Sequence, residues 1–325
     1  MEILGFFISA RAVARALVAA LIAAAVTAGA AGAAGTVFQD VTLPDKLTLC
    51  GEPMPLGSPA VREMLDRELT ISAWQPEQVF MWVKRSGRAF PVIEKRLAEL
   101  GMPDDLKYLA VAESSLLPYI ESNKAAVGTW QMIEETGVRN GLRKNEFIDD
   151  RRSLESSTDG ALRYLQKLQQ EFGSWAVALA AYNCGEARVR REIDIQKVTD
   201  YYRLNLPLET ERFVFRIAAI KLVLENPQRY GYVIPKDHIY RPEKVDVITV
   251  HLESPVAIGA LSQETGVDFK ILKELNPEFT GYVLPAGSYQ LRAPKGLGSK
   301  VQKAACLLGK EQPKKEARKQ GTEQR

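Results

Sequence analysis

The chain has 325 residues, 46% apolar and 26% charged, with a net charge of +3. This length gives a soft expectation of about two domains, and the ordinary composition excludes fibrous, collagen-like and wholly disordered classes. The charge is uneven: Ala293 to Arg325 holds nine basic and three acidic residues, so the remainder is near −3, which argues against a nucleic-acid-binding body.

Taken in order, residues 1–34 open with Arg11 and Arg15. An apolar run from Ala16 to about Val26 and small residues from Ala28 to Gly35 follow. This is the layout of a secretory signal peptide, so the expected location is exported, in the periplasm or cell envelope. An uncleaved copy of the segment would instead anchor the chain at a membrane. Residues 35–57 read as an irregular lead-in containing Pro44, Pro53 and Pro55.

Helical signals then dominate to about residue 235. Ser58-Pro59 is an N-cap followed by Pro at N1, with Val61, Met64, Leu65 and Leu69 behind it. A second helix starts at Pro76, and a third runs from about Phe90 to Leu100. Ser157 or Thr158 is expected to cap a helix carrying Leu162, Leu165 and Leu168, and Ser174 to cap an almost wholly apolar one from Trp175 to Tyr182. Asn183-Cys184-Gly185 interrupts it before Glu186 to Ile193. Pro207 and Thr210 precede a long helix with Phe213, Ile217, Ile220 and Leu224. Residues 245–294 change character and predict a β-α-α-β unit, with strands near Val247–His251 and Tyr289–Arg292. Residues 295–325 predict a basic, disordered tail. The fold class is therefore mainly α, an all-helical body followed by a small β-α-α-β module.

Cys50, Cys184 and Cys306 are too few for a disulfide framework, though one pair is able to close. Cys50 follows Leu49 and lies beyond the apolar run, which argues against a lipid-acceptor cysteine. With only His238 and His251 and no clustered ligands, neither a metal nor a cofactor is expected.

The informative stretch is Asp105 to Gln131. If its first part is helical, Leu106, Leu109, Ala110, Glu113 and Leu117 share one stripe, which sets a carboxylate on an apolar face. Desolvation disfavours its charged form, and moving a Glu from roughly 4.3 to roughly 6 takes about 2.3 kcal/mol. That is how a general acid is tuned to neutral pH. Position alone favours a Glu that pairs with an Arg or caps a neighbouring helix; the residues that follow Glu113 reverse that balance. Asp149, Asp150, Glu134 and Glu135 read as solvated loop acids rather than a second catalytic carboxylate, and the basic Arg139 to Arg152 region reads equally as a solvated face or as a surface toward anionic peptide stems.

Three elements occur in order: Glu113-Ser114, Gly128-Thr129-Trp130-Gln131, and Ala181-Tyr182-Asn183-Cys184-Gly185. Together with Leu206 to Thr210 and Asn226-Pro227, they resemble the goose-type-lysozyme-like lytic transglycosylases, most closely the membrane-bound lytic transglycosylase D group. The Thr at 129 departs from that pattern, which has Leu there. The resemblance implies a lysozyme-like catalytic domain over 58–235, acting on peptidoglycan strands. It makes Glu113 the acid and then the base, with Tyr182 hydrogen-bonding beside it. Ser122, Gln131, Trp130, Gly128 and Asn183 are implied in the substrate region, Trp130 more as cleft wall or core than as a stacking ring, Gly128 for close backbone approach, and Asn183 to tie down backbone where the helix breaks.

Residues 245–294 resemble a divergent LysM module through Leu272 to Pro277 and Leu284-Pro285-Ala286-Gly287, but Leu252-Glu253-Ser254 stands where Gly-Asp-Thr is usual. The expected product is a 1,6-anhydro-muramoyl end. A water-using muramidase of the same fold and a non-catalytic wall-binding protein remain as alternatives, and the oligomeric state is not legible.

Overall fold

A computed structural model describes residues 41–310; the expected export segment and the residues from Glu311 onward lie outside the described residues. The lead-in is not a loose approach. Leu43, Leu47, Leu49, Met54 and Leu56 are buried, and Thr48–Leu49 (β1) pairs antiparallel with Glu52–Pro53 (β2). The Glu52 carboxylate accepts from the backbone N–H of Trp175 at 2.6 Å and of Ala176 at 3.2 Å. An acid from far upstream thus caps a helix at its positive end. Ser174, expected as that cap, instead donates its hydroxyl to Glu52.

The helical body comprises Pro59–Ala73 (α1), Pro76–Glu99 (α2), Lys107–Ser114 (α3), Glu134–Arg139 (α4), Leu154–Phe172 (α5), Trp175–Cys184 (α6), Glu186–Gln196 (α7) and Leu208–Glu225 (α8). The two helices expected between Pro76 and Leu100 are one, with Pro91 inside it. Proline removes one internal hydrogen bond, which a helix packed along its length tolerates. The cap of α5 is Ser153, whose hydroxyl accepts from Ser156 N; Thr158, an expected cap, is fully buried inside the helix. Helix α8 packs against α1, α3 and α6, and its Phe213, Val214, Ile217, Ala218 and Ile220 are buried. Helix α3, which carries Glu113, therefore lies on a rigid apolar support.

Val245–Leu252 (β3) pairs antiparallel with Gly287–Pro294 (β6), in register from Val245↔Pro294 to Leu252↔Gly287. Between them come Val256–Ala257 (β4), Ile258–Thr265 (α9), Phe269–Leu275 (α10) and Val283–Leu284 (β5), so the β-α-α-β order stands, with a second small pairing of β4 with β5.

The expectation of a disordered tail from 295 is corrected over Gly298–Lys310 (α11), a helix packed on β3, α9 and β6. Its inward stripe, Val301, Ala304 and Ala305, has helical spacing but is made of small residues, which hides it from a reading based on large apolar side chains. Gly309 lies against Leu252, where a Cβ would stand 3.0 Å from the leucine side chain. Among the described residues no helix is long and apolar enough to cross a membrane.

Candidate active site

Helix α3 ends abruptly one residue after Glu113. Ser115 and Leu116 both have positive φ, 53° and 64°, an uncommon conformation for residues with side chains. It is held from α2: Trp82 donates its indole N–H to Ser115 Oγ at 2.9 Å, and Arg85 donates to the Ser115 carbonyl at 3.1 Å. Ser114 is buried, and its hydroxyl donates to the Thr129 carbonyl at 2.8 Å. The acid-bearing helix end and the Gly128–Gln131 segment are thereby joined.

Glu113 is half-buried at the floor of an open cleft of about 840 Å³, a size suited to a few sugar rings. Among the described residues its carboxyl takes part in no hydrogen bond or ion pair, and burial pushes its pKa up to about 8. The Arg216 cation pulls the other way, and the Glu209 anion adds a smaller upward push. Glu113 thus rests largely as the neutral acid at pH 7, with its proton free to be given.

The cleft brings together Glu113, Ser122, Gln131, Tyr182 and Asn183. The Gln131 side-chain amide donates to the Gly128 and Ile120 carbonyls, at 2.9 and 3.2 Å. Ser122 Oγ accepts from Ala126 N at 3.1 Å and caps its own loop. Asn183 Oδ1 accepts from the Thr210 hydroxyl at 2.8 Å, tying the end of α6 to the start of α8.

One expected role changes and two are narrowed. The Tyr182 hydroxyl donates to the Trp130 carbonyl at 2.6 Å rather than to Glu113. The two side chains are nonetheless near enough that the Glu113 charge, after burial, helps raise the phenol pKa. Trp130 is fully buried, its indole N–H donating to Thr158 Oγ1 at 2.9 Å, so it offers no surface to a sugar. Gly128 has φ +82°, and a Cβ there would stand 1.9 Å from the Arg151 carbonyl oxygen; its role is close backbone approach, not substrate contact.

Of the four acids expected to be solvated, Glu134 and Glu135 are exposed, but Asp149 and Asp150 are not. Asp149 and Asp150 are buried, paired with Arg151 at 2.7 Å and Arg143 at 2.9 Å, respectively. Neither is available as a second carboxylate, and of the basic stretch 139–152 only Arg139 reaches the cleft, where it pairs with Glu186. Glu186 also accepts from the Tyr164 hydroxyl at 2.6 Å, which, after a desolvation push in the opposite sense, holds its carboxyl below the usual range.

Sequence reasoning missed Glu209 and Arg216, both on α8 and both facing Glu113. Their seven-residue separation places them on one helical stripe, a polar one beside the apolar stripe that was read. Cys50, Cys184 and Cys306 are all free thiols. No cluster of three or more His, Cys, Asp or Glu able to hold a metal occurs among the described residues.

The family profile described as "Transglycosylase SLT domain" matches residues 91–205, which spans Glu113 and the Tyr182-Asn183 corner. Membrane-bound lytic murein transglycosylase D of Escherichia coli K12 is 34% identical over 209 residues, covering 62% of this chain and 45% of the relative. A putative tributyltin chloride resistance protein of an Alteromonas species (strain M-1) is 32% identical over 116 residues, 34% of this chain and 56% of that one. The chain thus spans about half the length of these curated relatives. A solved structure of an inactive mutant of lytic transglycosylase Slt from Pseudomonas aeruginosa is 16% identical, covering 47% of this chain and 26% of its own, with a TM-score of 0.33.

Proposed function

From the premise that this chain carries a transglycosylase SLT domain over residues 91–205, we propose that it is a peptidoglycan lytic transglycosylase working through Glu113. The observation that carries this reading is the Glu113 carboxyl itself: raised to about 8, unpartnered, and facing a polar cleft. A neutral acid in that position donates its proton to the glycosidic oxygen between N-acetylmuramic acid and N-acetylglucosamine as the C1–O bond breaks. The carboxylate left behind then accepts the proton of the muramoyl C6 hydroxyl. O6 closes on C1 to give the 1,6-anhydro end, and no water is consumed. The carboxyl that began as an acid ends as an acid, so one residue suffices where a hydrolase needs two.

Ser122, Gln131 and Asn183 supply hydrogen-bonding groups along the cleft, and Tyr182 braces the segment that carries Gln131. The protein is assigned to the cell envelope, with residues 245–294 as a LysM-type unit, on the export-like N-terminus and the LysM-like residues.

A second reading, a water-using muramidase, is favoured by one observation: Glu209 is a second carboxylate on the same cleft. Mass spectrometry of fragments released from purified sacculi separates the two, because hydrolysis adds the elements of water at the new end. The expected product is the anhydro form from wild type and from Glu209→Gln, and almost none from Glu113→Gln. Hydrated ends abolished by Glu209→Gln would establish the muramidase instead.

A further inference from the structure

We infer that the C-terminal module is a positioning element of the catalytic cleft, acting through the strip Phe147–Arg152, which it grips along one side while Arg151 grips the cleft segment on the other. Ile148, a residue of the helical body, is 3% exposed and belongs to the same apolar cluster as Val250, Leu252, Phe279 and Leu291 of the module. The backbones are laced together: Ile148 bridges Phe279, Asp149 N donates to the Glu278 carbonyl at 2.8 Å, and Thr280 N donates to the Phe147 carbonyl at 2.9 Å. Arg292 on β6 reaches back to Glu155 at 2.6 Å and to the Ser153 hydroxyl at 3.2 Å, and pairs with Glu278 at 2.9 Å within the module.

The same strip also holds the segment that lines the cleft. The Asp149 carboxylate holds the Arg151 guanidinium by two bonds, at 2.9 and 2.7 Å, with both side chains buried. Arg151 then donates through Nη1 to the carbonyls of Ala125, at 3.0 Å, and Met132, at 3.1 Å. Those carbonyls bracket the segment that sets Gln131 in the cleft and offers the Trp130 carbonyl to Tyr182. A bidentate pair fixes the guanidinium plane, so the segment's two ends are located relative to Asp149, and Asp149 relative to Glu278. The path from the module through Asp149 and Arg151 to Met132 is continuous in hydrogen bonds and runs through buried residues. A module serving only as a glycan tether would need none of it.

The kinetic arm of the test rests on the proposed function; the exchange arm does not. In the full chain, Phe279→Ala and Ile148→Ala remove side chains from the grip without touching the cleft. Phe279→Leu is the conservative variant, and Val301→Ala, a buried residue of α11 in the same apolar cluster but outside the strip, controls for loss of module stability alone. Hydrogen exchange is followed at the amides of Val127 and Gly128, which donate to Met132 O and Ile120 O. KM, kcat and the pH profile are measured on soluble glycan chains stripped of peptide.

The expected result is exchange at least about tenfold faster in the two Ala variants, since a loosened segment opens locally. KM rises about tenfold, with kcat and the alkaline limb little moved, because placement of substrate and not the acid has been disturbed. Phe279→Leu restores both readouts and Val301→Ala moves neither. Ile148→Val, which removes one methyl group, gives the same pattern more weakly and stands in if an Ala variant does not fold. Wild-type exchange at Val127 and Gly128 in the strip variants overturns the inference, as does Val301→Ala reproducing their effect. A wild type that turns over no glycan refutes the functional reading and leaves the exchange result to decide this one.

Discussion

The Glu113 carboxyl is kept protonated by where it sits, and that placement has a measurable sign. Its pKa is raised from 4.5 to about 8, so between those limits the folded chain binds a proton that the unfolded chain has released. Stability therefore falls as pH rises through that window, by on the order of a few kcal/mol when complete. Glu113→Gln, neutral at every pH, is expected to gain in melting temperature over wild type, more at pH 8 than at pH 5. At the same time its turnover drops by about a thousandfold or more, the scale of a lost general acid. Thermal scans at the two pH values check the first point and glycan turnover the second. A pH-independent difference would mean that the acid is not held neutral.

The two charges on α8 tune the same group in opposite directions. Removing the Arg216 cation leaves the anionic form less favoured, so Arg216→Gln should move the falling alkaline limb of kcat/KM to higher pH; Glu209→Gln should move it lower. Glu68 takes part in setting the first of these. It is 1% exposed and accepts from Arg212 at 2.7 Å, with Arg216 at 3.7 Å, so it holds part of the Arg216 charge away from Glu113.

At the scale of elements, the site is a junction of one helix end and one turn segment. Local sequence carries most of it: Glu113-Ser114 ends α3, Gly128 makes the tight approach, and Asn183 and Gly185 stand where α6 breaks, so residue type and conformation coincide within a few positions. What escaped sequence reading depends on separations of tens of residues. The apolar stripe of α8 was visible as Phe213, Ile217 and Ile220, yet periodicity does not tell which flank of a helix overlooks a cleft, and Glu209 and Arg216 were passed over. Asp149 and Asp150 have partners only two and seven residues away, Arg151 and Arg143, but nothing in the local sequence announces that the distant Glu278 segment packs on this strip and helps to bury it. Ser157 and Thr158 were read as caps by type alone, whereas Thr158 is committed to the Trp130 indole. The junction gives a direct prediction. Gly128→Ala sets a methyl group against the Arg151 carbonyl in a left-handed conformation, and should cost about 2 to 3 kcal/mol with a weakened KM. Urea unfolding and glycan kinetics test it together. An unchanged midpoint would show that the segment yields freely and is not fixed by the strip behind it.

At the scale of the whole molecule, the sequence separates two units by composition, and the separation is sound as a description of secondary structure but not of packing. The helical body and the β-α-α-β module belong to one compact unit, and the apolar core of the module contains Ile148 from the body. Ile148 lies in a stretch whose flanking charges suggested surface; burial there is decided by Phe279, more than a hundred residues away. A domain that lends a core side chain to its neighbour cannot unfold without exposing that neighbour's interior. Calorimetry is accordingly expected to give a single transition, with the calorimetric enthalpy equal to the van't Hoff value. Ile148→Ala should lower it by the 2 to 5 kcal/mol that is roughly typical of a deleted buried aliphatic group. Two resolved transitions in wild type would mean that the strip is a contact between independent domains. The same mutation would then loosen the module while leaving the body's melting temperature in place.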